Sequence, residues 1–198
     1  MNPWIDISIL ESDTIALLPL DASHQDALLT AAKDGILWEL WYTSVPSSAT
    51  INNYLDKALA EKENGQAYPF VVFHKKTKQI IGSTRYYNLQ PEHRRLEIGY
   101  TWYAKSHQRT RVNTECKYLL LQYAFEIKHC IAVQFMTDWH NIASRNAIAR
   151  LGAHQDGLLR NHRLNSDGSY RDSVVFSITE NEWSGVKKNL TQKLLLQE

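Results

Sequence analysis

The chain has 198 residues, enough for one domain with a sizeable core, and its 43% hydrophobic and 22% charged residues are ordinary for a globular protein. A net charge of +1 gives no general attraction to nucleic acid or to an anionic membrane, and no segment approaches the length of a membrane span. Two cysteines, Cys116 and Cys130, are too few for a disulfide framework or a cysteine-rich zinc site, and the eight histidines show no metal-ligand spacing, so a metal-free protein of the reducing cytoplasm is expected.

Met1 to Asp13 carries three acids and no long apolar run, which is not the pattern of a signal peptide. Thr14 to Leu20 predicts a short apolar strand, and Ser23 is a candidate cap for a helix from His24 to Asp34 that Gly35 ends. Ile36 to Tyr42 is dense in aromatics; Trp38, Trp41 and Tyr42 form either a core-covering segment or the wall of a substrate pocket. Thr50 opens a second helix to about Asn64. Pro69 to His74 and Ile80 to Tyr87 predict strands joined by a lysine-rich turn, and a loop from Asn88 to Arg94 leads to a central strand. In that strand Leu96, Ile98, Tyr100 and Trp102 alternate with Glu97, Gly99, Thr101 and Tyr103, which predicts two different faces.

Gln108-Arg109-Thr110-Arg111-Val112-Asn113-Thr114-Glu115 follows. Behind it Cys116, Leu119, Leu120, Tyr123, Ala124 and Ile127 recur at helical spacing, with Asn113 or Thr114 as the natural N-cap. A helix start carries unpaired N–H groups and partial positive charge, so this turn is either an anion site reinforced by Arg109 and Arg111 or a plain strand-to-helix loop. Ala132 to Thr137 predicts a strand parallel to the central one. Then come a turn at Asp138 to Asn141, a helix from Ile142 to Leu151 closed by Gly152, a strand from Ala153 to Arg160, and a hairpin turn at Asn165-Ser166-Asp167-Gly168-Ser169. A last strand, Asp172 to Ile178, precedes a polar helix from Glu180 to Leu190. With no repeat or linker, residues 1–198 read as one domain of mixed α/β (α+β) class: a mostly antiparallel sheet around a parallel strand–helix–strand core.

Four stretches in this order resemble the GCN5-related N-acetyltransferase superfamily, in the branch of the RimJ/RimL-type ribosomal-protein acetyltransferases. They are Leu96 to Tyr100, the Gln108 to Glu115 turn with Leu119-Leu120-Leu121, Asn141 to Ile148 with Arg150-Leu151-Gly152, and Asp156 to Arg160 leading to Asp167 to Asp172; the likeness spans Thr14 to Trp183. The resemblance implies the acyl-CoA N-acyltransferase fold, acetyl-CoA as cofactor and an amine acceptor, and it allows a homodimer.

It also implies roles. Gln108, Arg109, Thr110, Arg111, Val112, Asn113 and Thr114 would hold the pyrophosphate, and backbone groups at Trp102 and Tyr103 the pantetheine, between two splayed strands. Asn141 would hydrogen-bond the cofactor arm, and Ser144 would lie near the sulfur, where Ser144, another group or water would protonate the leaving thiolate. Glu97 would be the general base, or else an ion-pair partner of Arg85 or Arg95. Trp38, Trp41 and Tyr42 would wall the acceptor pocket, which the Asp167 to Asp172 hairpin borders. The chain departs from the family pattern at Arg111 and Asn113, where small residues are usual, and at Ile148, where many relatives carry a tyrosine acid. Those departures raise a second reading, a CoA-binding module with little catalysis. A third, nucleic-acid binding through Arg109, Arg111, Arg145 and Arg150, has the low net charge against it.

Overall fold

In the computed structural model, which describes residues 3–165 and 167–196, the strands form one eight-stranded sheet. Met1 and Asn2 of the N-terminal stretch and Ser166 of the expected hairpin turn lie outside the described residues. The strands are β1 (Leu10–Glu11), β2 (Ile15–Pro19), β3 (Ala67–His74), β4 (Gln79–Gln90), β5 (Arg95–Tyr103), β6 (Ala132–Asp138), β7 (His154–Leu164) and β8 (Tyr170–Thr179). The helices are α1 (Gln25–Lys33), α2 (Ile51–Glu63), α3 (Val112–Gln122), α4 (Ile142–Leu151) and α5 (Glu180–Leu195). The spatial order is β1-β2-β3-β4-β5-β6-β8-β7, antiparallel except for β5 beside β6, so the expected mixed sheet with one parallel strand–helix–strand unit is present.

Strand alternation sends side chains to two cores. Ile15, Leu17, Phe70, Val72, Leu96 and Ile98 pack with Cys116, Leu120 and Leu121 of α3 and with Trp183 and Leu190 of α5. On the other face Leu20, Val71 and Trp102 pack with Leu28 and Ala32 of α1 and Leu55 and Ala58 of α2.

Several expectations are corrected. Asp21, not Ser23, caps the first helical segment: its side chain accepts from Ser23 N–H, and its own N–H donates to His24 Nδ1 at 3.2 Å. The cap position of α3 is Arg111, so Asn113 and Thr114 lie within the first turn. A π-helical turn at Tyr123–Ile127 continues α3; the wider turn advances the buried stripe, so Phe125 is buried and Ile127 is 60% exposed.

The largest correction is in β5. Gly99 faces Arg85 and Trp102 faces Ser83, so Tyr100 and Thr101 together oppose Thr84 in a β-bulge. The extra residue reverses the alternation. Trp102 therefore joins the α1–α2 core and Tyr103 the core of Leu96 and Ile98, the opposite of what strict alternation predicts.

Candidate active site

The candidate site begins where the sheet comes apart. β5 and β6 pair only at Arg95 with Ala132, Leu96 with Val133 and Glu97 with Gln134. Beyond that point β5 stays with β4 as far as Gly82–Tyr103, and β6 stays with β8 as far as Asp138–Ser173. Each strand keeps its outer neighbour, and a wedge opens between them. A strand edge without a ladder partner offers N–H and C=O groups at regular spacing, which suits a linear molecule with amide groups.

The bulge shapes one wall of the wedge. Tyr100 has φ of 51°, a left-handed conformation uncommon for a bulky residue. Its ring lies under the Arg85 guanidinium, 4.2 Å from centroid to carbon, and meets the Tyr87 ring edge-on at 5.3 Å. Arg85 is fully buried and pairs with Glu61 at 2.6 Å, so this cation is committed to the fold. Gly99 makes the arrangement possible, since a Cβ there would stand 2.6 Å from the Tyr87 ring.

The wedge leads to α3. Arg111 makes no side-chain capping bond, and the nearest substitute is Thr110 Oγ1, which accepts from Val112 N–H at 3.3 Å. The N–H groups of Asn113 and Thr114 are thus left to an external acceptor. The two residues of this turn that depart from the resembled pattern are both held by side-chain partners within the fold. Arg111 Nε donates to Glu115 Oε1 at 2.8 Å, and Asn113 Oδ1 accepts from the Tyr103 hydroxyl at 3.1 Å. Buried Glu115 also accepts from Ser12 and Thr14. Gln108 Nε2 donates to Tyr103 O at 3.0 Å and pins the turn to the end of β5, while Arg109 stays exposed with φ of 60°.

Helix α4 starts differently on the β6 side. Asn141 caps it, its Oδ1 accepting from Ser144 N–H at 3.0 Å. Its amide N–H donors remain for other partners. Ser144 is half-buried, and Ile148 one turn later belongs to the main core, so no polar side chain stands there. The Arg145 guanidinium stacks on Trp139 at 4.2 Å and donates to Trp139 O at 3.2 Å, so it is not a free basic group.

Glu97 sits at the fork itself and is 6% exposed. Its Oε1 accepts from Asn88 Nδ2 at 2.7 Å and from Gln134 Nε2 at 3.4 Å, while Oε2 is buried without a partner. Neither arginine named in the ion-pair alternative takes it: Arg85 pairs with Glu61, and Arg95 donates to Gln134 Oε1 at 3.3 Å. A small cavity of about 110 Å³ opens here, lined by Asn88, Gln90, Arg95, Glu97 and Gln134. Burial, and then the Glu97 charge, raise the Tyr87 phenol far above its ordinary range, so it stays protonated. His162 of β7 shares a hydrogen bond with Ser173 Oγ at 3.0 Å, and burial lowers its pKa.

The aromatic segment divides. Trp41 is 61% exposed and its ring lies 5.5 Å from His140, on the turn that carries Asn141; Tyr42 meets Trp41 edge-on at 5.5 Å. This contact brings the segment to the β6 side of the wedge. Trp38 instead packs against the α1–α2 core. The Trp102 indole also lies in that core, donating to Tyr54 O–H at 3.4 Å, so Trp102 can offer the wedge only its backbone.

Sequence reasoning missed Tyr87, Tyr100, Asn88 and Gln134. The one local signal was Gly99 two residues after Glu97, a bare backbone position that admits a neighbouring ring.

Comparison with known proteins agrees with this fold. The uncharacterized N-acetyltransferase YoaA of Bacillus subtilis (strain 168) is 22% identical over 173 residues, 87% of this chain and 97% of that protein. A GCN5-related N-acetyltransferase from Brucella melitensis superposes with a TM-score of 0.86 at 26% identity, covering 96% of this chain and 86% of that one. Mycobacterium smegmatis RimJ, solved in complex with CoA-disulfide, shares the fold at a TM-score of 0.79 and 20% identity over 98% and 97% of the two chains. Residues 14–154 match the family model of the acetyltransferase (GNAT) domain, and the chain belongs to this family of acetyl-CoA-dependent N-acetyltransferases.

Proposed function

We propose that the chain binds acetyl-CoA along the open edge of β5 and transfers its acetyl group to a primary amine beside Glu97. The observation that carries this reading is the wedge itself, which runs from a buried carboxylate at the fork to an uncapped helix start. The residues fit the donor. The free N–H groups of Asn113 and Thr114, with exposed Arg109, suit a pyrophosphate. The unpaired edge of Gly99 to Tyr103 and the Asn141 amide suit a pantetheine arm. Bound acetyl-CoA supplies an already activated thioester, so orientation and hydrogen bonding of its carbonyl account for much of the rate.

The chain's own residues handle the protons. Asn88 and Gln134 hold one Glu97 oxygen and fix the carboxylate plane. The other oxygen is free to take the proton that the amine must lose, directly or through a water. Ser144, at the start of α4, passes a proton to the departing thiolate and takes one back from water, since a serine hydroxyl is too weak an acid to be the net source and Ile148 supplies no phenol. Trp41 and Tyr42 border the acceptor's entry, with Trp38 behind them.

A thiol-release assay with acetyl-CoA against a panel of peptide α-amines, polyamines, amino acids and aminoglycosides tests this. Amine-stimulated release is expected from at least one class. If acetyl-CoA binds but no amine raises release above background, the chain is a CoA-binding module instead.

A further inference from the structure

Lys117 lies in the second turn of α3 and is 5% exposed. Its Nζ donates to Thr101 Oγ1 at 2.5 Å and to Thr84 Oγ1 at 3.3 Å, and the two hydroxyls bond each other at 2.8 Å. Thr101 is a bulge residue, and Thr84 is the residue it opposes. The lysine therefore ties the two sides of the bulge together from the α3 face. From the opposite face Arg85 lies over the ring of Tyr100, the other bulge residue. Each residue of the bulge is thus held by a buried cation.

A buried ammonium without a carboxylate is costly, and an apolar side chain of the same length would pack there without that cost. Burial pushes the Lys117 pKa down to about 8, with the neighbouring Cys116 as a weaker opposing influence. The other titratable groups packed near it are Cys116, Tyr103, Glu115 and Arg85. Burial raises both the Cys116 thiol and the Tyr103 phenol, Glu115 is turned to Arg111, Ser12 and Thr14, and Arg85 lies on the far face of β4.

We propose that Lys117 is a positioning residue whose ammonium, through Thr101 and Thr84, holds the β5 bulge in the shape that keeps the wedge open to the acetyl donor. The proposal rests on the reading that acetyl-CoA occupies that wedge. An ammonium bonds a neutral hydroxyl about twice as strongly as a neutral amine does, so deprotonation loosens the clamp. Acetyl-CoA affinity then falls as pH rises through about 8, while the folded protein itself moves the other way. A lysine whose folded pKa is below its ordinary 10.5 takes up a proton on unfolding, so stability rises with pH between these two values. A purely structural lysine gives the second trend without the first.

Calorimetry with acetyl-CoA at about pH 7 and about pH 9 reads this, the capped thiol removing that group's ionisation and the Lys117→Met variant carrying whatever the ligand's phosphates contribute. The unaltered chain is expected to lose about five- to tenfold in affinity between the two. Lys117→Met should bind weakly at both and show no pH slope beyond that contribution. Thr101→Val should flatten the slope as well, and Thr101→Ser, which keeps the hydroxyl, should retain it; this pair decides the matter if Lys117→Met does not fold. Unchanged affinity and slope in Lys117→Met, or in Thr101→Val, overturns the proposal alone. Absence of acetyl-CoA binding by the unaltered chain overturns the cofactor reading and this one with it.

Discussion

The two halves of β5 are one strand with two fates. From Arg95 to Glu97 it pairs with β4 on one edge and β6 on the other, and Leu96 and Ile98 point into the main core. From Gly99 to Tyr103 it keeps β4, bulges at Tyr100 and loses β6. The closed half is scaffold, since it is flanked by a paired strand on both edges, although β4 is irregular between Tyr87 and Gln90. The open half is available for binding because its partner strand has left and its irregular backbone is braced from both faces. Glu97 stands at the boundary, where scaffold rigidity and open space meet.

The largest expected effect is at that boundary. Glu97→Gln keeps the amide contacts and removes the basicity, and should lower kcat/KM by about 10²–10⁴-fold at neutral pH with acetyl-CoA affinity kept. Part of the loss should return at high pH, where more of the amine is already deprotonated. A change within about twofold, well under the range for a base, would leave catalysis to orientation and solvent.

Next comes the first residue of the open half. Gly99→Ala places a Cβ 2.6 Å from the Tyr87 ring, so the ring must move. Overpacking of this kind costs about 1–3 kcal/mol, read as a lower denaturation midpoint, and the acceptor's KM should rise as Tyr87 shifts beside Glu97. Across the wedge, Asn141→Ala removes a helix cap, and loss of such a cap costs about 1 kcal/mol of stability. Its acetyl-CoA affinity should also fall; a stability change with affinity intact would show the cap to be its whole role. Trp41→Ala, at the exposed mouth, should change stability by no more than about 0.5 kcal/mol, as surface substitutions do, yet raise KM for the amine. An unchanged KM would remove the aromatic wall from the site.

The closed half was legible in the sequence and the open half was not, for a physical reason. Leu96 and Ile98 follow a period of two, and the fold obeys it. Tyr100 and Trp102 continue the same period in the sequence, but an inserted bulge residue leaves no mark on hydrophobic alternation, so the faces of Trp102 and Tyr103 were exchanged. The π turn is equally silent, since Phe125 and Ile127 are both apolar and only the turn width decides which is buried. Strand β1, two residues long, is too short to carry a pattern. The strand–turn–helix order around Gln108 to Thr114, and the turn before α4, were readable because local sequence fixes them. The partners of Glu97 were not, because Asn88 and Gln134 reach it from β4 and β6. The approach of Trp41 to His140 likewise joins segments far apart in the chain, and neither side alone announces it.

Amide hydrogen exchange with and without acetyl-CoA tests the central claim most directly. If the donor lies along the open half of β5 and ends at α3, ligand should slow exchange at Gly99 to Tyr103 and at Asn113 and Thr114, and leave Arg95 to Glu97, already paired, nearly unchanged. Binding that protects some other region while those amides exchange as before would contradict the account.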